Sequence, residues 1–250
     1  MNRKIILRIA GLLLLLVFIS VTLSFTTIER KQIVCNHVMV TFDEPYQFIT
    51  QKRIESLINR KFNKLHGGLL EKLNTEIIET ELEKNPWVKE AEVFMGYGRT
   101  DSLYLSGGIR VHIVQEEPLL RVADGENSFY VTEELNRMPI SSSHTTNVIV
   151  VTGRTSKAYI NEDLVNFVKF INDDKFWKAQ IQQIHIRENH EYVLVPRVGD
   201  QLIVFGKPEK LELRFRNLKA LYTKGFSSEG WEKYKTISLK YDNQVVCTLR

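Results

Sequence analysis

Residues 85–95 read Asn85-Pro86-Trp87-Val88-Lys89-Glu90-Ala91-Glu92-Val93-Phe94-Met95, and the fold turns on them. Proline disfavours helical backbone at the residue before it, so any helix arriving from upstream ends at Asn85. From Val88 the apolar positions Val88, Ala91, Val93 and Met95 suit an extended strand. Upstream, Asn74 is placed to cap a helix with Ile77, Ile78 and Leu82 apolar and Glu76, Glu79, Glu81 and Glu83 exposed. Before that, Ile54, Leu57, Ile58, Phe62 and Leu65 recur on one helical face. Thr50 stands at that helix's N-cap, Ile49 and Ile54 form a hydrophobic staple, and Gly67-Gly68 is the expected stop. Ile33, Val34, Val38, Val40 and Phe42 predict a first strand ended by Glu44-Pro45. Downstream, Gly98 to Gly108 reads as a long loop. Ile109, Val111 and Ile113 then alternate with Arg110 and His112 in a half-buried strand, and Pro118 closes the unit. Residues 33–118 thus form an α+β unit, strand–helix–helix–strand–strand, with two helices on one sheet face.

Residues 119–250 predict a second, strand-rich α+β unit. Phe129-Tyr130-Val131 is a short strand, Met138-Pro139 ends the next piece, and Val148–Val151 is an apolar run closed by Thr152-Gly153. Asn161 is placed to cap a helix bearing Leu164, Phe167, Val168 and Ile171. Strands follow around Ile184 and Ile186, Tyr192 to Pro196 and Leu202 to Gly206, with turns at Glu188-Asn189 and Gly199-Asp200. Leu211, Phe215, Leu218 and Tyr222 mark another helix, with Pro208 before it and Gly225 after it. Ile237 and Leu239 form a further strand. Tyr241-Asp242-Asn243-Gln244 is a turn or kink, and Val245–Leu249 is a final strand.

The N-terminus sets the expected compartment. Ile9–Ile28 is twenty residues without a charge, about 30 Å as a helix, the thickness of a bilayer core. Arg3, Lys4 and Arg8 precede it, which keeps residues 1–8 in the cytoplasm as a short tail and exports the remainder. A cleaved signal peptide is the alternative, but the apolar run is long for one. Residues 9–28 therefore read as a single transmembrane helix. The whole chain carries a formal charge of +4 from 34 basic and 30 acidic residues. Without those three N-terminal cations, 31 basic residues face 30 acidic ones, which excludes a nucleic-acid partner on charge grounds.

Chemistry is sparse. His185 and His190 lie five apart across a turn beside Glu188 and Glu191, a spacing unlike a metal site. His112 reads as the polar face of a strand, Glu116-Glu117 as a solvated edge, and Gly107-Gly108 as loop. No nucleophile elbow, phosphate-binding loop or dinucleotide fingerprint occurs. Cys35 and Cys247 read as small buried hydrophobes, and Trp87, Trp177 and Trp231 as core. No catalytic residue, metal, cofactor or small-molecule substrate is expected. What remains is display: a terminal strand at a sheet edge recruits another chain through its unpaired backbone groups.

These pieces in this order resemble the FtsQ/DivIB family of bacterial cell-division proteins. The first unit is similar to its POTRA domain, through the two-helix insert, Asn85-Pro86-Trp87-Val88 leading into Ala91-Glu92-Val93, and Ile109-x-Val111-x-Ile113 before Glu116 and Pro118. The second is similar to its β domain, through Phe129-Tyr130-Val131 with Met138-Pro139, Val150-x-Thr152-Gly153, Gly206, and the closing Ile237 to Val246. The resemblance implies a non-enzymatic divisome scaffold in the bacterial inner membrane at the septum. It implies a cytoplasmic N-terminus and a periplasmic bulk. It also implies that the β domain binds the bitopic coiled-coil partners FtsB and FtsL through Lys240, Tyr241, Asn243, Val245, Val246, Cys247 and Thr248. Two other classes stay open from the sequence: an accessory subunit of an envelope-assembly or secretion machine, and an anchored extracytoplasmic enzyme.

Overall fold

The structure is a computed structural model and describes residues 10–23, 33–43, 48–62, 65–99, 105–142, 144–226, 230–242 and 244–250. The chain divides into two compact units, residues 1–115 and 116–250. Residues 10–23 are helical, a described length of about 21 Å at 1.5 Å per residue. Among the described residues no helix is long and apolar enough to cross a membrane. Residues 1–9 and 24–28, which carry the tail and the ends of the apolar stretch, lie outside the described residues.

The first unit has strand β1 (Cys35–Phe42), helices α1 (Gln51–Lys61) and α2 (Thr75–Glu83), and strands β2 (Val88–Arg99) and β3 (Leu105–Gln115). Its sheet order is β1-β3-β2, with β1 parallel and β2 antiparallel to β3. Val40, Val111 and Val93 lie side by side across it, and all three are buried. The helices lay Ile54, Ile58, Ile78 and Leu82 into the same core. This is the strand–helix–helix–strand–strand order the sequence predicts, and Asn74 caps α2 as expected, its Oδ1 accepting the Ile77 amide at 3.2 Å.

Several local expectations give way. Thr50 occupies the N-cap of α1 but its side chain makes no capping bond. Helix α1 stops at Lys61, well before Gly67-Gly68. Gly67, at φ +79°, instead turns the chain so that its amide donates to Cys35 O at 2.9 Å and flanks the start of β1. Ile77, expected on the apolar face, is exposed. Gly107 and Gly108 are not loop but buried residues of β3, so β2 and β3 form one long hairpin. The reason is crowding: a Cβ on Gly107 would stand 2.6 Å from Ile33 Cγ2 and 3.0 Å from Leu70 Cδ2. Glu44-Pro45 lies outside the described residues.

The second unit is one sheet of order β12-β11-β10-β9-β8-β7-β4-β5-β6 among the described residues. Its strands are β4 (Leu120–Val122), β5 (Phe129–Val131), β6 (Arg137–Pro139), β7 (Ile149–Gly153), β8 (Ile181–Ile186), β9 (Tyr192–Pro196), β10 (Leu202–Gly206), β11 (Tyr234–Ser238) and β12 (Val246–Leu249). Helices α3 (Glu162–Asp173) and α4 (Lys175–Gln180) connect the parallel pair β7 and β8. Helix α5 (Leu211–Ala220) connects the parallel pair β10 and β11. Such pairs need a crossover, and helices supply it. Asn161 caps α3 as expected, accepting the Leu164 amide at 3.2 Å. Phe167 sits at the centre of the core, its ring 5.0 Å from Tyr192, 4.8 Å from Phe205 and 5.8 Å from Phe215.

Candidate partner-binding edge

Among the described residues strand β12 has one neighbour, β11, and forms an end of the sheet. Which of its amides face outward follows from the ladder. Leu239 donates its amide to Val204 O at 2.9 Å, toward β10, so with strand alternation the amides of Ile237 and Leu239 face β10 and those of Thr236 and Ser238 face β12. The register pairs Thr236 with Thr248 and Ser238 with Val246, and the Arg250 amide donates back to Lys233 O at 3.0 Å. Even-numbered amides of β12 therefore point inward, and those of Cys247 and Leu249 point to the open flank.

The side chains divide the same way. Val245 and Cys247 are half-buried against the core, whereas Val246 (40% exposed) and Thr248 face outward. Leu249, 64% exposed, adds an apolar group that the sequence reading left out. Its place at the end of the Val245–Leu249 run was the available signal.

The segment between β11 and β12 is pinned on both sides of an exposed tyrosine. Lys240 forms an ion pair with the buried Glu191. That ammonium, with lesser help from Asn189 and Arg187, holds the Glu191 carboxyl below the usual carboxylate range, against the opposing pull of burial. Gly206, at φ +86°, leaves room for the Lys240 stem: a Cβ there would meet Lys240 Cγ at 3.1 Å. Asp242 pairs with Lys210 at 2.7 Å, which lowers the Asp242 pKa. Tyr241, between them, is 54% exposed. Of the expected binding residues, Tyr241, Val246 and Thr248 are thus presented outward, Val245 and Cys247 support from within, and Lys240 is engaged by Glu191. Asn243 lies outside the described residues. Glu191 and Lys210, which hold this segment, carry no motif and were not anticipated.

The other end of the sheet is β6, three residues long and ending in Pro139, which lacks an amide donor. The Arg137 guanidinium there lies over the Phe129 ring at 4.4 Å.

The histidine pair does not converge. His190 stacks on Tyr159 at 4.3 Å, while His185 Nδ1 lies 3.2 Å from Thr152 Oγ1. Among the described residues no group of three or more His, Cys, Asp and Glu side chains is placed to hold a metal ion. Cys35 and Cys247 are free thiols, both with pKa raised by burial. Trp177 is buried, Trp87 is half-buried beneath Arg53, and the Trp231 side chain is outside the described set.

Residues 117–248 match the family described as FtsQ/DivIB, C-terminal related, which is just over half of the chain. The chain belongs to the FtsQ/DivIB family. Residues 33–100 also match the POTRA-like domain. The FtsQ/DivIB match runs from before β4 into β12 as far as Thr248, and membership places the chain among cell-division proteins. A comparison with curated proteins found no match.

Proposed function

We propose that this FtsQ/DivIB protein is a non-enzymatic scaffold of the division machinery, anchored in the inner membrane by residues 9–28 and acting at the septum. Its periplasmic β domain captures an extended segment of the bitopic division proteins FtsB and FtsL as an additional strand alongside β12. One observation carries the reading: β12 is hydrogen-bonded on one flank, and the amides of Cys247 and Leu249 face the other. A strand laid there gains backbone hydrogen bonds for affinity, while Val246 and Thr248 offer side-chain contacts for selectivity. Pinning of Lys240 and Asp242 holds Tyr241 ready beside it and lowers the ordering cost of binding. The anchor reading is supported by the uncharged Ile9–Ile28 run behind Arg3, Lys4 and Arg8.

The test is capture of purified FtsB–FtsL complex by the full chain and by a chain truncated before Tyr241. The full chain retains the partners and the truncated one loses them while its first unit stays folded. Equal retention by both overturns strand pairing. In cells, depletion yields filaments without septa. Normal septation on depletion overturns the division role.

A further inference from the structure

Strand β2 outruns its core. Along it Ala91 and Val93 are buried, but Phe94 is 53% exposed, Met95 41% and Tyr97 55%. Successive strand residues point to opposite faces, so this end of β2 presents apolar groups on both sides. Gly96 lies opposite Gly108, and the nearest atom to a Cβ at Gly96 would be Gly108 O at 3.8 Å, so space is open beside Gly96 itself, while the His37 ring covers Gly108. Exposed apolar side chains gathered on both faces of one strand end mark a contact surface into which that end inserts.

The register says what lies near it. Cys35 pairs with Gly107, and Gly107 with Tyr97, so the start of β1 and the end of β2 share one end of the sheet. Two strand spacings separate them, about 10 Å. The chain enters this end from the N-terminus. Only six residues lie between Ile28, the last of the uncharged run, and Cys35, a tether of seven Cα–Cα steps and at most about 25 Å. Gln115, the exit from the unit, is at the opposite end of the same sheet, paired with Val88.

We infer that the protruding end of β2, through Phe94, Met95 and Tyr97, seats the first unit on the outer surface of the lipid bilayer. This rests on the reading of residues 9–28 as the membrane anchor. The chemistry suits the place: tyrosine is enriched at headgroup level, where its ring is in an apolar layer and its hydroxyl is wet, and phenylalanine and methionine fill the acyl boundary. The partner is the lipid surface, since the tether keeps this end of the sheet within reach of it.

The test uses the full chain in vesicles of phosphatidylethanolamine and phosphatidylglycerol. The photoreactive residue p-benzoylphenylalanine replaces Phe94, Tyr97 or, as a control at the far end of β2, the exposed Glu90. All three replaced side chains are exposed, so the unit keeps its fold, checked by an unchanged melting temperature. Flotation with the vesicles is measured first. Expected are phospholipid adducts by mass spectrometry from positions 94 and 97 and their loss at position 90. A chain that floats but gives no lipid adduct at 94 and 97, or crosslinks there to a second copy of itself, overturns the inference and leaves the anchor intact. A chain that does not float overturns the anchor reading, and this inference with it.

Discussion

The Glu79 carboxylate accepts the Val93 amide at 2.7 Å, on the flank of β2 that faces away from β3. Glu83 does the same for Ala91 at 3.3 Å, so two side chains of α2 occupy an edge that another strand would otherwise claim. The two sheets therefore differ at these margins: β2 is closed over its middle by glutamates, whereas among the described residues no strand pairs with the outer flank of β12.

Glu79→Ala removes the acceptor and leaves the Val93 amide facing α2 without it. A hydrogen bond to a charged group is worth about 1.5–3 kcal/mol net, and Glu79→Ala should lower the stability of the first unit by up to that amount in chemical denaturation. Glu79→Gln keeps a carbonyl acceptor and should recover part of the loss. Equal stability of all three chains would show that water replaces the carboxylate at no cost.

Proline scanning separates the two flanks of β12. Leu249→Pro deletes an outward amide and should weaken partner capture while the melting temperature holds, because Leu249 is exposed and its amide has no place in the β11 ladder. Val246→Pro deletes an inward amide opposite Ser238 and should lower the melting temperature of the second unit. The reverse pattern, measured by calorimetry and pull-down, contradicts the assignment of amide directions.

Asp174 caps α4 by accepting the Phe176 amide at 2.8 Å and the Trp177 amide at 3.4 Å, and it pairs with Lys219 at 2.9 Å. The Lys219 ammonium foremost, aided by the two amides and opposed by partial desolvation, depresses its pKa. A depressed folded-state pKa contributes stability that is fully present above the unfolded value, near about 3.9, and is lost as pH falls through the lower folded value. Asp174→Asn keeps a capping oxygen and removes the titration. The urea midpoint of the native chain should exceed that of Asp174→Asn at neutral pH, and the gap should close as pH drops below about 4. A gap that does not change with pH assigns no stability to the charge.

Phe167 touches three aromatic rings at the centre of the second unit. Phe167→Ala should cost about 3–5 kcal/mol, since the rings around it cannot all collapse into the space. Lys169→Ala, on the same helix but in the exposed ion pair with Glu133, should leave the denaturation midpoint nearly unchanged. Denaturant titration of both variants checks the contrast.

The periodic parts of this molecule were legible in its residues. Asn74 and Asn161 cap the helices they precede, and Ile109, Val111 and Ile113 face the core as alternation requires. The short strand Phe129–Val131 was legible too, but two other short elements were not. Leu120–Val122 is three residues and Lys175–Gln180 six, and neither repeats an apolar face. Gly107 and Gly108 misled because a glycine pair has two physical causes, chain reversal and close approach, and only the position of Ile33 and Leu70 tells them apart. At the edge, the terminal strand was visible from its apolar run, but the direction of its amides was not. That depends on β11 lying parallel to β10, a long-range pairing with no local mark. Glu191 and Lys210 were missed for the same reason: their roles come from Lys240 and Asp242, distant in sequence.

The strand order of the first unit also fixes a schedule. β3 is the central strand, yet it follows both β1 and β2 along the chain, so neither outer strand has a mate until it arrives. About 65 residues lie between Phe42 and Gly107, roughly 3–13 s of synthesis at ordinary ribosomal speed. For those seconds Val38, Val40 and Phe42 are an apolar ribbon beside two helices with nothing to rest on. The sheet can be completed only once β3 has been made, and that interval is the one in which a holdase guarding the emerging chain has an apolar strand to cover.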